Sequence, residues 1–145
     1  MAARVGHIVE GLTRNHAETH PHSQHPRLRG RTYAITFDRV WTSAMQLADG
    51  GLRHWQVLEA DDEAGVIRAV AVSPLLRRLY DVRVVVSLDE NAQTRVDVLS
   101  RARLGRYDWG GSARLIDRFV RELDTTLRAT SAQILDGSRG AQFTA

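Results

Sequence analysis

Arg101 and Arg103 stand shortly before a Gly110-Gly111-Ser112 step, and this is the part of the chain whose residue types and spacing come closest to chemistry. If a helix opens there, the backbone N–H groups of Gly110, Gly111 and Ser112 point at an anion, and Arg101 or Arg103 adds a charged fork for it. Asp81 and Asp108 are carboxylates that, if they converge, form an acid/base pair. The same residues have a second reading: Asp108 or Ser112 caps the helix, the glycines permit a tight turn, and Arg103 pairs with Asp108 or Asp81. Capping needs only the residue types present, so the spacing favours this structural use.

A second segment, Leu75, Leu76, Arg77, Leu79 and Tyr80, mixes basic and apolar side chains that suit the rim of a partner or membrane contact. It also suits a short link that folds its leucines under a sheet edge. His16, His20, His22 and His25 supply enough imidazoles for a zinc or nickel ion, but their spacing matches no closed structural site. Pro21 also stops any helix that would put them on one face, so no metal is assigned. His54 stands alone. Hydrolase Gly-x-Ser-x-Gly, P-loop, dinucleotide and His-Glu-x-x-His patterns are all absent, and no cofactor is expected.

The chain around these residues has 145 residues and is 43% hydrophobic, enough for one core and too little for two comfortable domains. It has no cysteine, which removes disulfides, thiolate ligands and a cysteine nucleophile. All 20 basic residues are arginine. They lift the sequence pI to about 10.1 while the formal net charge is only +3. Most arginines have an acidic neighbour in sequence, which argues against a nucleic-acid partner. No stretch approaches the roughly 20 apolar residues of a membrane span, and Met1 to Glu10 lacks the pattern of a secretory leader, so a cytoplasmic location is the default expectation.

The elements that must position these residues follow from periodicity. Residues 1–30 differ in composition and read as a histidine-bearing arm; 31–135 read as one domain; 136–145, rich in glycine and small polar residues, read as a flexible tail. Tyr33, Ile35 and Phe37 alternate as on a strand, Asp38 offers an N-cap, and Val40, Trp41, Ala44, Leu47 and Ala48 recur at helical spacing up to Gly50-Gly51. Four strands follow. Arg53 to Ala60, which includes His54, and Val66 to Val72 flank an acidic turn. Val82 to Leu88 and Val96 to Ala102 flank the turn Asp89 to Gln93. Leu115, Ile116, Phe119, Val120, Leu123 and Leu127 mark a long amphipathic helix, with Asp117–Arg121, Arg118–Glu122 and Asp124–Arg128 as i,i+4 pairs. The expectation is an α+β domain, order β-α-β-β-β-β-α, in which two helices cover one face of an antiparallel sheet. Arg68, Arg83, Arg95, Asp97, Arg101 and Arg103 then fall mainly on the opposite, polar face.

Two segments, Ser73-Pro-Leu-Leu-Arg-Arg-Leu-Tyr-Asp-Val82 and Ser100-Arg-Ala-Arg-Leu-Gly-Arg-Tyr-Asp-Trp-Gly-Gly-Ser112, together with the element order, resemble a bacterial family catalogued as domain of unknown function 1499. The resemblance spans about Arg31 to Leu123. Ser100, Arg103, Gly105, Asp108 and Gly110 fall on the family's pattern; Ala102 stands for its second serine and Ser112 for its asparagine. The family implies this fold and no established activity. The functional expectation is therefore a non-enzymatic binding module for a protein or apolar ligand, with an enzyme acting on a small anionic substrate as the alternative. Oligomeric state is not legible.

Overall fold

The computed structural model describes residues 16–18, 30–73, 77–103 and 109–135. Along the chain these form β1 (His16–Glu18), β2 (Arg31–Tyr33), α1 (Phe37–Gln46), β3 (Trp55–Asp61), β4 (Val66–Val72), β5 (Leu79–Leu88), β6 (Thr94–Ala102) and α2 (Trp109–Leu127). From Arg31 onward the order is the expected β-α-β-β-β-β-α, and all strand pairs are antiparallel. The sheet runs β6-β5-β4-β3, and the outer edge of β6 is shared: β2 pairs with Thr94–Val96 and β1 with Leu99–Arg101. The latter pairing ties three residues of the N-terminal arm to the sheet. The rest of residues 1–29, with His20, His22 and His25, lies outside the described residues, as does the tail 136–145.

Both hairpins are turned by an aspartate that accepts from the backbone ahead of it. Asp61 Oδ1 accepts the N–H groups of Glu63 and Ala64 at 3.1 Å each, and Asp89 Oδ1 those of Asn91 and Gln93 at 2.9 Å. Gly65, at φ +71°, closes the first turn, and a Cβ there would collide with the Val86 carbonyl of β5. The turn is therefore fixed by backbone packing as well as by φ.

Strand alternation decides the two faces. On β5 and β6 the even-numbered positions Tyr80, Val82, Val84 and Val86, and Val96, Val98, Ser100 and Ala102, are buried, while Asp81, Arg83 and Arg101 are exposed. The buried set joins Val40, Ala44, Ile116, Phe119 and Leu123 of the helices in one core. The Trp55 and Phe119 rings stack with centroids 5.3 Å apart, so α2 reaches across the inner face as far as β3. Burying Phe119 alone contributes about 1.5–3 kcal/mol.

Four local expectations are corrected. α1 starts at Phe37, with Thr36 as its N-cap residue and Asp38 inside the first turn. The Phe37 ring stacks on Trp41 at 5.9 Å, so its apolar character served helix packing where alternation had suggested strand. His54 precedes β3 in a turn at φ +67° and is exposed. Asp124 turns to Arg31 and Tyr33 of β2 at 2.8 and 2.6 Å. Its expected i,i+4 partner Arg128 lies past the helix at φ +52°. Tyr80, expected on a surface rim, is buried because it shares the inner parity of β5 with Val82 and Val84.

Candidate functional site

The outer face of the sheet is built by residues left over from the core pattern. β4 contributes Arg68, Val70 and Val72; β5 contributes Asp81, Arg83 and Val85; β6 contributes Asp97, Leu99 and Arg101. Register places Arg68 directly opposite Arg83, and Asp81 directly opposite Arg101. β3 has a bulge between Val57 and Glu59, after which Glu59 stands opposite Arg68.

Electrostatics on this face are uneven. Arg103 forms a fork on Asp81: Nε donates to Oδ2 and Oδ1 at 3.0 and 3.1 Å, and Nη2 donates to Oδ1 at 2.9 Å. These hydrogen bonds, and then the carboxylate's charge, push the Arg103 guanidinium further above its ordinary value, so it stays a fixed cation. Arg68 leans on Glu59 at 3.4 Å, with both side chains about two-thirds exposed. Arg95 is held by Asp97 at 2.8 Å. Arg83 and Arg101 are exposed and form no ion pair among the described residues. Like charges set opposite on paired strands destabilise a sheet, so the Arg68–Arg83 pair is a local cost that the fold itself does not require.

The inner side of the same region differs. Ser100 is fully buried, and its Oγ has no hydrogen-bond partner among the described residues. Ser112, in the first turns of α2, is also fully buried, whereas Gly110 is exposed with open space where a Cβ would stand. Ser112 is thus out of solvent, whereas the Arg103–Asp81 pair is half-exposed on the outer face.

The structure thus brings Asp81, Arg101 and Arg103 together on one face, while Ser112 is buried. Asp108 lies outside the described residues, as do Leu75 and Leu76. Arg77 is exposed at φ +50°, and Leu79 is half-buried at the start of β5. Among the described residues no three acidic or imidazole side chains cluster to hold a metal ion, and no helix is long and apolar enough to cross a membrane. Arg68 and Arg83 were not among the expected site residues. Alternation had placed them on the polar face, but only the register between β4 and β5 reveals that they face each other.

A family model described as "Protein of unknown function (DUF1499)" matches residues 13–123. No curated protein and no solved structure matches the chain.

Proposed function

The chain belongs to the DUF1499 family, whose description assigns no activity, and on the geometry above we propose that it is a non-enzymatic binding module that docks a protein on the outer face of its sheet. One observation carries the reading: both helices and the core occupy the inner face, while the outer face leaves Arg83 and Arg101 exposed beside the anchored Arg103–Asp81 fork. Exposed guanidiniums on a sheet suit bidentate contacts with a partner's carboxylates, because the planar fork loses less freedom per hydrogen bond formed than a lysine does. The charges favour a protein over an apolar ligand. An enzyme gripping a small anion with Arg103 and the Gly110 to Ser112 amides has less support. Asp81 has both oxygens engaged by Arg103, and Ser112 is fully buried.

Two charge-reversal pairs test this. Arg83→Glu with Arg101→Glu alters the outer face; Arg114→Glu with Arg118→Glu alters exposed positions of α2. With both proteins folded by circular dichroism, the first is expected to weaken capture of the partner by at least about tenfold, in line with lost charged interface contacts, and the second to leave it intact. Equal capture by both would remove the outer face from the function.

A further inference from the structure

Resting on that reading of the outer face, we infer that the docked segment is an extended acidic stretch of a protein, with carboxylates at alternate positions, read by the diagonal Arg68–Arg83–Arg101. The three arginines lie on three adjacent strands, β4, β5 and β6. Arg83 is directly opposite Arg68. On its other side it is opposite Leu99, which places Arg101 at the diagonal position two residues further along β6. Side chains directly opposite stand about 5 Å apart, and diagonal neighbours about 7–8 Å. An extended chain presents same-side residues every second position, about 6.6 Å apart. Glu or Asp at positions i, i+2 and i+4 of such a segment, laid across the strands, therefore meets the three guanidiniums in turn. Leu99 and Val70, half-buried beside this line, give the arginine stems an apolar bed.

The same face argues against a continuous polyanion. Glu59, Asp81 and Asp97 are interspersed with the arginines, and each would repel an unbroken run of phosphates. A peptide places neutral residues over them. A second copy of the chain is a poor occupant as well: its Glu59, Asp61 and Glu63 do have this spacing, but Glu59 is already paired with Arg68 and the Asp61 carboxylate already accepts two backbone N–H groups of its own turn. With such an occupant, the like-charged Arg68–Arg83 pair gains a shared counter-charge in the complex.

The test uses fluorescein-labelled peptides of equal charge, one repeating Glu-Ser-Glu-Ser-Glu and one with the same residues as Glu-Glu-Glu-Ser-Ser, titrated with the whole chain at low salt and read by anisotropy. The alternating peptide is expected to bind at least about fivefold tighter than the block peptide. That preference is expected to vanish in Arg83→Glu and to shrink in the milder Arg83→Gln. Equal affinities, or no binding to either, would overturn the spacing inference. The docking reading falls separately, if the Arg83→Glu, Arg101→Glu protein keeps its partner. A single-stranded oligonucleotide or phosphatidylserine vesicles binding more tightly than the alternating peptide would assign the face to a different class of partner and overturn the inference. So would salt-sensitive self-association seen by sedimentation.

Discussion

Tyr33 is fully buried, and its phenol donates a 2.6 Å hydrogen bond to Asp124 Oδ1, whose other oxygen receives Arg31 Nη2 at 2.8 Å. Burial first, and then the charge of Asp124, push the Tyr33 phenol well above its ordinary 10.0. A folded-state value above the unfolded one means that the contribution is fully present below about pH 10 and is lost as pH rises beyond it, because the unfolded chain sheds the proton first. With all 20 basic side chains arginine and no cysteine, tyrosine is the side chain that ordinarily titrates in this range. Urea midpoints followed from neutral to alkaline pH should fall more steeply for the native chain than for Tyr33→Phe; parallel curves would deny the phenol this role. Asp124→Ala strands the buried hydroxyl and should cost about 1–3 kcal/mol by the same measurement at neutral pH. The sequence could not disclose this network. Helical spacing offers Arg128 to Asp124, and only the tertiary fold brings β2 beneath the end of α2.

At the scale of elements, α2 was legible because its apolar residues recur at i, i+3 and i+4, and the structure buries Ile116, Phe119, Val120, Leu123 and Leu127 along that stripe. β5 and β6 were legible for the analogous reason at period two. The boundary at Tyr33 to Phe37 was not, since alternation and helical spacing agree over so short a run, and Phe37 satisfies both. The pairing of β1 with β6 was beyond reach: three residues have no periodicity, and their partners lie far along the chain. Phe119→Ala removes the ring stacked on Trp55 and should cost about 3–5 kcal/mol. Gly65→Ala forces a left-handed φ on a residue with a Cβ and drives that Cβ into the Val86 carbonyl; chemical denaturation should show a loss of about 1–3 kcal/mol.

At the scale of the whole molecule the division of labour is between faces. One side of the sheet carries the core that holds the fold, and the other carries charge that adds little to stability. The Arg103–Asp81 fork is half-exposed, so its worth to folding is small despite good geometry. Its register, with Arg101 and Arg83 alongside, is what gives the face a chemical identity. The sequence placed the arginines on a polar face but could not show which of them would be neighbours, because neighbourhood on a sheet is set by register and not by spacing along the chain. Arginine-selective modification by phenylglyoxal, mapped by mass spectrometry in the free protein and in its partner complex, separates docking on this face from docking on the helices. In the free protein Arg83 and Arg101 should react readily while Arg31 and Arg95, at 21% and 15% exposure and held by Asp124 and Asp97, are spared. In the complex Arg83 and Arg101 should become protected. Their continued modification there, with protection appearing instead at Arg114 and Arg118 of α2, would place the partner on the helices and not on the outer face.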